Sequence, residues 1–129
     1  MRRETVTLTT KSGTRTINAE IAISGPEQEQ GLMFRRRMGD DEGMLFIYKK
    51  PQGITMWMRN TYISLDMIFI GDDGHIAHIV ENAEPLSERI ISSDGVAQFV
   101  LELKAGAVRR LGFARGDKVT AQSLPVGSN

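Results

Sequence analysis

Frequent punctuation limits this chain more than any other feature. Clusters of Gly, Pro, Asn and Asp break the apolar pattern roughly every 8–12 residues, so the elements between them are short and strand-like. Ile17, Ala19, Ile21 and Ile23 alternate with Thr16, Asn18 and Glu20. A period of two sends neighbouring side chains to opposite faces, which predicts a half-buried strand. With the β-branched run Thr5 to Thr10 and the turn Lys11-Ser12-Gly13, residues 5–23 read as a hairpin. Ser24 then stands three residues before Glu27, with Pro26 just inside. That capping-box pattern predicts a short helix from about Pro26 to Phe34, with Leu32 and Met33 turned toward the core.

Further along, Gly39 and Gly43 bracket the acidic turn Asp40-Asp41-Glu42, and Met44 to Tyr48 reads as a strand. Pro51-Gln52-Gly53 marks a turn before a strand over Ile54 to Met58. Leu65 to Ile70 and His75 to Ala83 flank the loop Gly71-Asp72-Asp73-Gly74, a hairpin. Pro85 to Gly95 is polar and reads as irregular. Gln98 to Leu103 reads as a strand, Ala105 to Leu111 as a helix, and Lys118 to Ser123 as a last strand. The class expected is α+β: a compact, mostly antiparallel barrel-like β-sheet with two short helices.

At 129 residues the chain is sized for a single domain over 1–129. A chain this long buries roughly two-thirds of its unfolded surface, enough to fold without a disulfide or metal. Cysteine is absent, which excludes thiolate nucleophiles, iron–sulfur clusters and cysteine zinc sites. Sixteen basic residues balance sixteen acidic ones, arguing against a nucleic-acid partner. No apolar run approaches the roughly 20 residues of a membrane helix, and Met1-Arg2-Arg3-Glu4-Thr5 leads into a strand, not a signal segment. The expectation is a soluble chain without membrane partners, either cytoplasmic or the mature domain of an exported periplasmic protein.

No P-loop, Rossmann glycine fingerprint, HExxH or GxSxG elbow is present, so no catalytic residue is assigned. His75 and His78 lie three apart in a strand and so face opposite ways, against a shared metal. Met56 and Met58 share a strand face that would suit copper(I), but methionine filling gaps in a core is far commoner. No metal or cofactor is therefore expected. Arg35-Arg36-Arg37 follows the first helix; it reads as a solvated run complementing the helix dipole, with Arg35 nearest the apolar Leu32-Met33-Phe34.

Three residues carry most of the functional signal. Trp57, the only tryptophan, either fills the core or lines a pocket beside the polar Arg59, Asn60 and Thr61. Asp66 shares a face with Ile68 and Ile70, so its carboxylate needs a cation or several N–H donors. Arg35 and Arg59 are the candidate cations, and the amides of Asn60 and Thr61 the candidate donors, which would pin the 59–64 loop. Glu102 lies between Leu101 and Leu103, on a strand face with Val100 and Lys104 that reads as solvated.

The segments Gly31-Leu32-Met33-Phe34-Arg35, Gly43-Met44-Leu45-Phe46, Trp57-Met58-Arg59-Asn60-Thr61, Leu65-Asp66-Met67-Ile68-Phe69-Ile70, Leu101-Glu102-Leu103 with Gly106, and Gly116-Asp117 occur in this order. Together they resemble the domain of unknown function 192 family of bacteria and archaea. The resemblance runs from about residue 5 to 123, followed by a short flexible C-terminal tail. It implies a small α+β domain with a barrel-like sheet and supplies no activity. Many members look exported, which leaves the compartment open. The family often has phenylalanine where Met56 stands, which further weakens the copper idea. Its pattern matches Arg35, Trp57, Asn60, Asp66 and Glu102, with Arg59 at a usually basic position.

Three functions follow. The leading one is a binding module with a pocket around Trp57, Arg59 and Asn60, buttressed by Asp66 and Arg35, taking a small polar or anionic ligand such as a glycan or peptide carboxylate. The second is a hydrolase-like enzyme using Asp66 and Glu102 as acid and base. The third is a structural or protein-interaction domain. Oligomeric state is not legible.

Overall fold

The structure, a computed structural model, describes residues 2–124. Apart from Leu124, the tail expected after residue 123 lies outside the described residues. The elements run β1 (Arg3–Thr10), β2 (Gly13–Ala22), α1 (Gly25–Gln30), β3 (Glu42–Met56), β4 (Leu65–Ile70), β5 (Ile76–Ala83), β6 (Ile91–Lys104), α2 (Ala107–Leu111) and β7 (Lys118–Thr120). All seven strands join one sheet in the order β5-β4-β6-β3-β2-β1-β7. Neighbours pair antiparallel except β2 and β3, which run parallel with Ile21 beside Leu45.

The sheet curls into a half-barrel whose two edges meet at one corner. There the Ile76 amide donates to the Asp117 carbonyl at 2.9 Å, and the Val119 amide to the Gly74 carbonyl at 2.7 Å. Inside the curve lies a first core, including Val6, Leu8, Ile17, Leu45, Ile68, Phe99, Leu101 and Leu103, with Val108 of α2. The other face of β3, β4 and β6 carries a second core, including Met44, Phe46, Met67, Phe69 and Val100 with Leu32, Ile54 and Met58. Every residue of β4 is buried because both of its faces are covered.

Local signals place most elements, and pairing overrides the rest. Ser24 caps α1 as its sequence predicts: its hydroxyl accepts from the Glu27 amide, and the Glu27 carboxylate accepts from the Ser24 amide. The helix stops at Gln30, short of Phe34, because Gly31 turns to a positive φ of 49°. Its backbone runs against the Phe46 ring, which an added Cβ would meet at 3.3 Å.

The two strands expected around Pro51 form one strand, β3. Its register against β6 slips between Ile47 and Gln52, which accommodates the proline's missing N–H. Ile91 to Gly95, expected to be irregular, pairs as the start of β6, with Met56 opposite Ile91. The partner strand decides this, since β-propensity follows context more than composition. The last strand ends at Thr120 instead of Ser123.

Gly43 of β3 pairs with Leu103 of β6, and a Cβ there would stand 2.7 Å from Leu103 Cδ2 and 2.8 Å from the Glu102 carbonyl oxygen. Gly43→Ala is expected to cost about 1–3 kcal/mol of stability through overpacking. Urea unfolding followed by circular dichroism measures it, and an unchanged midpoint would refute the contact. Among the described residues, no helix is long and apolar enough to cross a membrane.

Candidate functional site

β3 ends at Met56, and the chain then turns across the second core. The Thr61 amide donates to the Met58 carbonyl at 3.1 Å, closing a turn in which Asn60 takes a positive φ of 54°. Asparagine tolerates that conformation better than most residues. Two neighbouring loops anchor the turn. The Phe34 amide donates to the Asn60 carbonyl at 2.8 Å, and the Leu86 amide to the Thr61 carbonyl at 3.0 Å. Met58 is fully buried, and Met56 Sδ accepts a hydrogen bond from the Tyr48 hydroxyl at 3.6 Å. Trp57 points the other way and is 38% exposed, with the Arg59 guanidinium 5.2 Å from its ring centre.

Two hollows flank the indole. A cleft of about 240 Å³ reaches inward past Phe46, Tyr48, Met56 and Thr61 to Glu102. A shallower groove of about 420 Å³ runs outward along Phe34, Arg59 and Asn60. Glu29, Gln30, Met33 and Trp57 line both.

Glu102 sits near the C-terminal end of β6, between Met44 of β3 and Met67 of β4. Its face of the sheet is therefore the second core and not the solvated face expected from β6 alone. The residue is 4% exposed, and burial raises its carboxyl pKa to about 8. It is mostly protonated at neutral pH, able to donate one hydrogen bond and accept others. Burial, and secondarily the charge of Glu102, also push the Tyr48 phenol above its usual range.

Asp66 is fully buried on the opposite face, paired across to Leu103 in the first core. Its Oδ1 accepts from the Asn82 amide at 2.9 Å, and its Oδ2 from the Gly106 and Val108 amides at 3.1 and 3.0 Å. Asn82 belongs to a register slip of β5 against β4, and Gly106 and Val108 open α2. Asp66 therefore satisfies a bulge and a helix start. It does not brace the 59–64 loop, and neither arginine nor the Asn60 or Thr61 amides contact it, because that loop lies over the other face of the sheet. With Asp66 and Glu102 on opposite faces, the acid/base pair of the enzyme reading does not exist.

Arg35 also stands apart from both hollows. Its guanidinium forks onto the Glu20 carboxylate, which it holds below the usual carboxylate range through hydrogen bonding and charge. Of the six candidate residues, then, Trp57, Arg59, Asn60 and Glu102 line the hollows, while Arg35 and Asp66 do not. Among the lining residues missed by the sequence reading are Phe46, Tyr48 and Glu29. The alternation of Met44, Phe46 and Tyr48 along β3 was the available signal for the first two; α1, too short to show a periodicity, offered none for Glu29.

The profile of the domain of unknown function 192 family, described as an uncharacterised ACR, matches residues 6–121. A crystal structure from Sinorhizobium meliloti 1021, described as a candidate transcription regulator, is 48% identical with a TM-score of 0.90, over 93% of this chain and 94% of that one. A protein of unknown function from Novosphingobium aromaticivorans DSM 12444 is 44% identical with a TM-score of 0.88, over 90% of this chain and 83% of that one. No curated protein matches the chain.

Proposed function

Because the chain belongs to the domain of unknown function 192 family, whose membership carries no activity, we propose its function from the site itself: it is a binding module for a small molecule or peptide segment held against Trp57. The observation that carries this reading is the half-exposed indole forming a wall common to cleft and groove. Apolar walls with a few polar groups are the usual make-up of a ligand site. The groove adds Arg59 and Asn60 as polar contacts for the outer part of the ligand. Among the described residues, three of the five non-glycine residues with positive φ, Phe34, Asn60 and Leu86, cluster at this turn, where strain often accompanies function.

Trp57→Ala tests the reading, and the buried Met58 beside it keeps the core intact. A ligand saturating the wild type at about a hundred times its Kd adds about 2.7 kcal/mol, on the order of 10 °C in Tm for a chain this size. A thermal-shift screen is expected to find compounds that shift the wild type and leave Trp57→Ala unmoved. If every hit shifts both proteins equally, the indole is not part of a binding site.

A further inference from the structure

We propose that the cleft over Glu102 receives a cationic nitrogen on an aliphatic stem, from a lysine side chain or a free alkylamine, with the cation on the Glu102 carboxyl and the stem along Phe46, Met56 and Trp57. This deepens the reading that Trp57 walls a ligand site and rests on it.

The first support is a carboxyl without a partner. Among the described residues no group hydrogen-bonds to Glu102, and no deeply buried side-chain oxygen or nitrogen lacks a partner, so its carboxyl oxygens just reach the cleft surface. Three of the donors that line the cleft are engaged elsewhere. The Tyr48 hydroxyl donates to Met56 Sδ, the Thr61 hydroxyl to the Arg59 carbonyl at 3.1 Å, and the Gln28 amide to the Ala22 and Ile47 carbonyls. A buried carboxyl in this state gains most from a donor that arrives with a ligand.

The second support is charge. The ionisable residues lining the cleft are all acidic: Glu29 of α1, the mostly protonated Glu102 and the phenol of Tyr48 of β3. From β4 the neutral Met67 faces Glu102. The nearby cations are committed, Lys104 to Asp40 at 3.4 Å and Arg35 to Glu20, and Arg59 lines only the groove. An anion entering the cleft would meet two acids and no cation.

Size is the third. About 240 Å³ falls below the roughly 300–1,000 Å³ of sites enclosing a whole drug-sized ligand. The cleft suits a head group and stem, leaving the rest of the ligand to the groove beyond Trp57. When an ammonium binds, the Glu102 O–H bond breaks, its proton leaves to solvent, and the carboxylate accepts from the N–H donors. Since burial raises this carboxyl to about 8, the linkage makes binding about tenfold tighter for each unit the pH rises toward that value and level above it, while the amine stays protonated.

The test is an amide chemical-shift titration of the full chain with n-butylammonium and with Nα-acetyl-lysine N-methylamide, at pH 6, 7 and 8. Butyrate and n-butanol serve as anionic and neutral counterparts. The expected result is that both cations shift cleft residues, tighter with pH as above, while the counterparts bind at least tenfold more weakly. The tighter of the two cations identifies the source, free amine or peptide. Glu102→Gln is expected to abolish the pH dependence and weaken binding at pH 8 at least tenfold. If that variant fails to fold, the wild-type pH series decides alone. Butyrate or butanol binding the cleft as tightly as butylammonium overturns the inference and leaves the ligand-binding reading standing. So does unchanged binding in a folded Glu102→Gln. If no probe, and no compound from the thermal screen, perturbs the cleft, both fall.

Discussion

Replacing Asp66 with alanine is expected to destabilise the protein by about 3–5 kcal/mol, among the largest effects of any single substitution. The loss strands three amides at once, those of Asn82, Gly106 and Val108, each within 3.1 Å of the carboxylate. A buried donor without an acceptor costs about 1–3 kcal/mol, and the total stability of a domain is only about 5–15 kcal/mol. Asp66→Asn keeps one acceptor oxygen and should fall between. Urea unfolding gives the difference, and hydrogen exchange at Gly106 and Val108 localises it to the start of α2. An alanine variant within 1 kcal/mol of wild type would mean that these amides find other acceptors.

Glu102→Gln has the opposite sign at high pH. The folded protein holds this proton up to about pH 8, whereas an ordinary glutamate gives it up near 4.5. Between those values the native state binds more protons than the unfolded state, so wild-type stability falls as pH rises. The fall is absent below about 4.5, complete above about 8, and on the order of 3–5 kcal/mol in total. Glutamine occupies nearly the same volume with no proton to lose. The variant should therefore match the wild type near pH 5 and exceed it by a few kcal/mol at pH 9, measured by urea unfolding at both. Parallel pH profiles for the two proteins would mean that Glu102 is ionised in the native state.

The same two residues show what the sequence can convey. Asp66 among isoleucines announces a buried carboxylate that needs several donors, and that is what it is. Its donors are not legible, since they lie 16, 40 and 42 residues away, on a bulge and a helix end that only the assembled sheet brings near. Glu102 is harder. Alternation along β6 separates its two faces but does not say that both are covered. The apolar run of β4, buried at every position, is the clue that this sheet has cores on both sides. Trp57 shows the converse limit, because an indole after an alternating strand suits a core and a wall equally well until the Asn60 turn is seen. The capping box at Ser24 needs no such help, since both partners lie within one turn.

The sheet order also determines when the cleft comes into existence. Met44, Met67 and Glu102 meet only after β6 has docked between β3 and β4, and β1 closes onto β7 across almost the whole described chain. Contacts of such long sequence separation slow folding, because loop closure comes before its reward. No hairpin or half-formed sheet contains the cleft. A ligand bound over Glu102 would therefore recognise only finished molecules, and would act on how slowly they come apart rather than on how quickly they form.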